Sequence, residues 1–396
     1  MHRNITLKLI LACLTTFVMM LFFPLWLNLL IFTIILFISD NSLKIPVSVI
    51  LALLSSLFIS SVDIAYDLKN YHDLFVNINS DIYTSEFKFE PFLLYYYSVL
   101  SQLDVDFRVV LFLQSLFLNV TLLYVFIKTL GIKGIKYYGL LLIFPQYVQL
   151  SLFLSRQTIS LLFVVLLITY CLNNKMTLFK FIVVSTIAVS AHAISLLYIT
   201  IILLSSRLKK YLTWKMLFTI WLVGILMPIT ADIMNNILQN VFNQIPLLDR
   251  KIGFYMNSVS TNISASLTLY SISILPLHIL FFMKLLSIKK RNIKTTATAY
   301  TFVYLNVYYL IIFLINYPLL PARIGLLIII FTPYFYFVAI NVFYSDSKYY
   351  KVMENFGVLF VLAIFIRFLF TNDYGDYNVN LANKHILEYS LSNLLN

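Results

Sequence analysis

Arg156, Arg323 and His192 stand apart in a chain with few charges. Arginine keeps its charge and offers a planar fork of donors that grips a carboxylate or pyrophosphate through two parallel bonds, which lysine cannot do. Arg156, in FLSRQTIS, and Arg323, in LLPARIGL, each lie in an apolar neighbourhood with no acidic residue within fifteen positions. A guanidinium there costs about 2.5–3.5 kcal/mol on insertion scales, so an anion is expected to offset it. His192, in IAVSAHAISL, adds an imidazole suited to act as a general base or as a donor to a phosphate oxygen. The chemistry that fits is transfer from a dianionic leaving group. Departing charge needs cations, and the attacking hydroxyl must lose a proton.

These residues must be positioned by membrane helices. The chain has 396 residues, 61% of them hydrophobic and 11% charged, with a mean hydropathy of +0.91. Soluble proteins carry about twice that charged fraction. Repeated apolar stretches of about twenty residues predict an all-α, polytopic integral membrane protein, and the ~10-residue alternating segments of a β-barrel are missing. The first stretch, residues 5–21, has a basic start but no small-residue cleavage site, and it is expected to stay as a helix. Cys13 and Cys171 both fall inside spans, which argues against a disulfide framework. The net charge of +12 reflects lysine in cytoplasmic joints, and no basic domain stands clear of lipid, so nucleic acid is not an expected partner.

Lysine placement predicts the topology. Lys44, Lys128, Lys133, Lys136, Lys175, Lys180, Lys209, Lys210, Lys289, Lys290, Lys348 and Lys351 mark cytoplasmic joints. An acidic loop at 63–107, holding eight of the sixteen acidic residues, is then external, as are a second loop at 232–266 and the polar tail at 372–396. The expectation is one transmembrane domain over 1–396 with about thirteen helices (range about 12–14), N-terminus inside and C-terminus outside. Under this topology sixteen of the twenty lysines are cytoplasmic, whereas five of the eight arginines (Arg108, Arg156, Arg250, Arg323 and Arg367) fall outside or near the outer end of a span.

Two segments depart from simple spans. Residues 178–206 are flanked on both sides by cytoplasmic joints, yet their 29 residues reach about 43 Å as one helix. A pair of short helices or a re-entrant hairpin is expected, with the small residues of 188–193 at its apex and His192 toward the outer face. Residues 91–103 are too few to cross, and predict a helix on or dipping into the outer leaflet with Pro91 at its first position.

In the acidic loop, helical spacing puts Asp63, Asp67 and Asn70 on one face and Ile64, Leu68, Tyr71 and Phe75 on the next. Carboxylates, amides and tyrosine rings together suit carbohydrate. Asp104 and Asp106 form a D-x-D pair, which fits a polar turn before the next span better than a divalent-metal site. Zincin, P-loop, G-x-S-x-G and C-x-x-C motifs are missing, which excludes nucleotide-driven transport by this chain.

The ordered set Tyr66-Asp67 to Tyr71, Glu86 to Glu90-Pro91, Ser155-Arg156-Gln157, Ala191-His192-Ala193-Ile194-Ser195 and Arg323 resembles the EpsG/Wzy type of bacterial polysaccharide polymerase over roughly residues 63–325. Arg156 and His192 are 36 positions apart. The family's H-[KR]-S-A reads H-A-I-S here, without the basic neighbour. The resemblance implies a GT-C-like, multi-pass enzyme of the bacterial cytoplasmic (inner) membrane whose active site faces the periplasm. It would transfer a glycan from undecaprenyl pyrophosphate onto another lipid-linked repeat unit, making O-antigen, capsule or exopolysaccharide. Arg156 and Arg323 are assigned to the pyrophosphate, with Arg250 and Arg367 as further cations. His192 is base or phosphate donor, Asp67 or Glu90 the competing base, and Asp63, Tyr71, Glu86 and Gln157 bind substrate. Partners are undecaprenyl-linked glycans and membrane lipid, with a chain-length regulator and a flippase as accessory proteins. No cofactor or divalent metal is expected, because arginines supply the positive charge. The competing readings are a flippase for lipid-linked oligosaccharide and an O-antigen ligase. A flippase needs ionisable groups at midplane depth, whereas here they cluster outside. A ligase differs in acceptor and carries its long outer loop late.

Overall fold

The apolar runs fold into helices whose ends fall where a side chain supplies a cap or a residue withdraws a donor. The computed structural model describes residues 24–61, 64, 67–78, 91–153, 155–173, 175–208, 303–308, 320–371, 373–374 and 377–378, with scattered positions between 215 and 283. The helices are α1 (Leu25–Ile38), α2 (Asn41–Ser60), α3 (Asp67–Val76), α4 (Pro91–Ser101), α5 (Phe107–Gly134), α6 (Lys136–Leu142) and α7 (Pro145–Phe153). They continue with α8 (Ser155–Leu172), α9 (Leu178–Ala191), α10 (Ser195–Leu208), α11 (Leu320–Ile330), α12 (Thr332–Tyr344) and α13 (Tyr350–Thr371). Among the described residues the chain is all-α apart from a two-residue antiparallel pair, β1 (Asp373–Tyr374) and β2 (Tyr377–Asn378). The helix expected over 5–21, the loop at 232–266 and the rest of the tail lie outside the described residues.

Among the described residues, α2 and α5 are each long and apolar enough to cross a membrane, and α11 with α12 adds a third if that pair, bent by 69°, forms one span. Four shorter apolar stretches accompany them, at Leu25–Ile38, Arg156–Leu172, Leu178–Ala191 and Ser195–Ser205, and much of the chain on which the expectation of thirteen helices rests lies outside the described residues. Residues 1–396, read above as one transmembrane domain, divide into two compact units. The first comprises residues 1–169, 177–195 and 351–396, and the second residues 170–176 and 196–350.

The first unit is built on α2 and α5, packed antiparallel. At one end Arg108 Nη1 donates to the Ser60 carbonyl at 3.1 Å. At mid-depth Asn119 Nδ2 donates to Ser56 Oγ at 3.0 Å and to the Ala52 carbonyl at 3.3 Å. Two tyrosines complete the network: Tyr147 Oη donates to Asn119 Oδ1 at 2.6 Å, and Tyr138 Oη to the Asn119 carbonyl at 3.0 Å. These groups are fully buried, where an unmade bond is costly, so the network holds α2, α5, α6 and α7 in one register. Pro145 opens α7 and has no N–H to give, which explains the break between α6 and α7 at Ile143 and Phe144. α1 closes on α6 at Gly139, where an added Cβ would meet Thr33 Cγ2 at 3.1 Å.

α5 begins with Asp106 as its cap, the carboxylate accepting from the Arg108 N–H at 2.7 Å. Asp104 precedes it with φ at +53°. The D-x-D pair therefore forms the capped turn that its position before a span predicts. Near its other end α5 breaks at Gly131, with φ +69° and ψ −174°, a conformation open essentially to glycine alone. Nothing lies within 4 Å of a Cβ there, so the constraint is backbone strain and not space. Gly131→Ala is expected to destabilise the chain by about 1–3 kcal/mol. A thermal melt in detergent reads this directly, and an unchanged midpoint refutes it.

In the second unit Tyr198 Oη donates to the Ile324 carbonyl, joining α10 to α11. The bend between α11 and α12 falls at Phe331, just before Pro333, and Thr332 Oγ1 donates back to the Ile328 carbonyl at 2.7 Å.

Candidate functional site

α3 is amphipathic as its spacing predicts. Leu68, Tyr71, Leu74 and Phe75 are buried, while Lys69 and Asn70 are exposed. Its apolar face meets the start of α5 and the end of α4 through rings: Phe75 lies 5.6 Å from Phe107 and 5.8 Å from Tyr97, and His72 lies 5.2 Å from Phe107. Tyr71 thus belongs to this packed cluster and does not present an exposed stacking surface. α4 starts at Pro91, as expected, and its eleven residues reach about 16 Å, too short to cross. Phe92 stacks edge-on against Phe163 of α8 at 6.5 Å, while Tyr96 Oη donates to the Val110 carbonyl of α5 at 3.3 Å. α4 also packs on α9. Burial pushes the Tyr96 phenol up to about 12, and the Tyr97 phenol well above its ordinary range, with Tyr71 and Tyr96 adding to the effect. Both stay neutral at physiological pH; Tyr96 is a donor, and the buried Tyr97 hydroxyl makes no hydrogen bond among the described residues.

The path of α6 and α7 runs from the end of α5 past Asn119 to α3, so α8 begins at the same end of the unit as α3 and α4. Arg156 is the second residue of α8 and half-buried. Gln157 beside it is buried, and its Oε1 has no hydrogen-bond partner. One turn along, about 6 Å, Ser160 Oγ donates to the carbonyl of His192 at 3.3 Å. Residues 36 apart are therefore brought onto neighbouring turns.

His192 ends α9. The run 178–206 does divide in two, into fourteen-residue helices, with the break at 192–194. The His192 backbone is extended, and its carbonyl accepts from the Ser195 N–H at 3.2 Å and Ser195 Oγ at 2.9 Å. Ala188 and Ala191 are buried, as a tight turn requires. Nδ1 accepts from the Ile194 N–H at 3.1 Å. A backbone amide can only donate, so the neutral ring must carry its proton on Nε2. In that tautomer Nε2 is a hydrogen-bond donor and not a base.

Residues 44–391 match the EpsG family, a span that includes every candidate residue above. The chain belongs to the EpsG family. No curated protein and no solved structure matches it. Membership of the EpsG family implies a membrane protein of polysaccharide biosynthesis.

The other candidates of this EpsG-family chain are placed less closely. Asp67 opens α3, and Arg323 lies in the first turn of α11, within the second unit. Arg367 is exposed on α13, about 20 Å along the helix from Glu354. Asp63, Glu86, Glu90 and Arg250 lie outside the described residues. Arg108 is tied to the carbonyl end of α2, a favourable place for a cation. Among the described residues no group of three or more His, Cys, Asp or Glu is placed to hold a metal. Ser160 and Tyr97 were not singled out from sequence. Ser160 was accessible through its i, i+4 spacing from Arg156, whereas nothing distinguishes Tyr97 from Tyr95 and Tyr96 until α3 covers it.

The opposite end of the first unit differs in charge. Lys136 and Lys351 stand beside Glu354 there, which accepts from Lys136 Nζ and, at 2.6 Å, from Tyr137 Oη, and Lys44 lies near Lys133 and Lys136.

Proposed function

We propose that this EpsG-family chain is a glycosyltransferase that polymerises undecaprenyl-pyrophosphate-linked repeat units on the outer face of the bacterial cytoplasmic membrane. The observation that carries the reading is the placement of Arg156 and His192 on neighbouring turns, at the end of the unit opposite its lysines. The acceptor hydroxyl oxygen forms the new bond to the anomeric carbon, and the bond from that carbon to pyrophosphate breaks. The electron pair leaves with the pyrophosphate, where the Arg156 fork and the His192 Nε2–H meet it. The hydroxyl proton passes to a carboxylate, Asp67 or Glu90, because Nε2 of the neutral His192 ring already carries a proton. Arg323, Arg250 and Arg367 keep their assignment as further cations on sequence grounds, and Asp63, Glu86 and Gln157 as substrate contacts, whereas the buried Tyr71 packs α3 in place. Arginines supply the positive charge, so no divalent metal is required. A chain-length regulator and a flippase are the accessory partners.

His192 variants test the reading. Gln at 192 offers an amide N–H near the place of Nε2, whereas Ala offers nothing. His192→Gln is expected to keep polymerisation within about tenfold of the parent, and His192→Ala to lose about 100-fold. Surface glycan run on a gel, at matched membrane levels, reads both. Loss of polymerase function leaves single repeat units exported, whereas loss of a flippase leaves none. Equal defects in the two variants refute the donor role, and an unaltered ladder in both removes His192 from the site.

A further inference from the structure

The lysine-rich end of the first unit has a charge imbalance that the glycan chemistry does not use. Lys44 lies in the first turn of α2 and is 8% exposed. Its Nζ donates to Asn41 Oδ1 at 3.1 Å, a neutral acceptor, and it makes no ion pair among the described residues. Lys133 and Lys136 stand near enough to repel it. Glu354 is already engaged by Lys136 and Tyr137 and has Lys351 beside it. Asp40, ahead of α2, is exposed and its side chain makes no capping bond. A cation in the first turn also opposes the positive end of the helix dipole. A largely covered ammonium with two like charges near it and only a neutral acceptor favours an anion beside it.

The depth of the cluster says which anion. Lys44 lies at the start of one candidate span and Lys133 at the end of another. That is the level at which lipid phosphates border the hydrocarbon. From Lys44 an exposed apolar stripe runs along α2 at i, i+4 spacing: Ile45 (43%), Val49 (43%) and Leu53 (37%).

We propose that this end binds the phosphate of an anionic phospholipid among Lys44, Lys133 and Lys136, with an acyl chain along Ile45, Val49 and Leu53. The site is independent of the glycosyl-transfer reading. The full chain, placed in nanodiscs of phosphatidylcholine with and without phosphatidylglycerol, provides the test. Phosphatidylglycerol is expected to raise the parent's melting temperature by about 3 °C or more, less so at high salt. Lys44→Gln should lose that rise, yet melt no lower than the parent in phosphatidylcholine alone, because it removes a buried charge. Native mass spectrometry should find phosphatidylglycerol retained on the parent and lost from the variant. If Lys44→Gln fails to assemble, Lys133→Gln, at an exposed position, reads the same loss. Equal melting of the parent in both lipids overturns the proposal, as does an undiminished rise in the lysine variant. Millimolar inorganic phosphate that reproduces the whole rise in phosphatidylcholine also overturns it, since the site would then be one for free phosphate.

Discussion

Replacing Arg156 with lysine is expected to leave membrane level and melting temperature unchanged and to lower polymerisation about 100-fold. The charge survives, but the paired N–H bonds that hold a pyrophosphate do not. Arg156→Ala should fall further, by about 1,000-fold, because the charge goes as well. Neither change should weaken the fold. Arg156 stands at the start of α8, where the helix dipole disfavours a cation, so its place on the helix does not call for a positive charge. That opposition separates the two roles: a structural arginine would lose stability with activity, whereas a phosphate-binding one loses activity alone. Repeat-unit polymerisation in membrane vesicles, scored as glycan length against protein level, is the measurement. A lysine variant with the parent's ladder removes Arg156 from the pyrophosphate.

Asn119→Leu is expected to cost about 2–4 kcal/mol. The amide donates to Ser56 and Ala52 and accepts from Tyr147, all at mid-depth in the first unit. Leucine matches its size but leaves the Tyr147 hydroxyl, which is fully buried, without its acceptor. Removing that hydroxyl as well should restore part of the loss. Asn119→Leu with Tyr147→Phe should therefore be more stable than Asn119→Leu alone, by about 1–2 kcal/mol. Thermal melts of the single and double variants in one detergent complete the cycle. Strictly additive losses would mean that the two residues are not coupled and that the network does not set the register of α2, α5 and α7.

Much of the local architecture was legible beforehand because helix periodicity and capping are properties of neighbouring residues. The polar and apolar faces of α3, the start of α4 at Pro91 and the division near His192 all follow from spacing, proline chemistry and chain length. Matching of residues 44–391 to the EpsG family agrees with the ordered motifs from Asp67 through His192.

Packing decided the rest, because it joins residues far apart in the chain. Nothing in the residues around His192 says that Ser160 donates to its carbonyl, or that the Ile194 amide occupies Nδ1 and leaves the proton on Nε2. Arg108 looked equivalent to the other external arginines until the carbonyl end of α2 was found beside it. Tyr71 shares its composition with any interfacial tyrosine, yet α4 covers its ring. Spacing along a helix specifies which face a side chain occupies. What meets that face, and with which atom, depends on a partner helix that periodicity cannot identify.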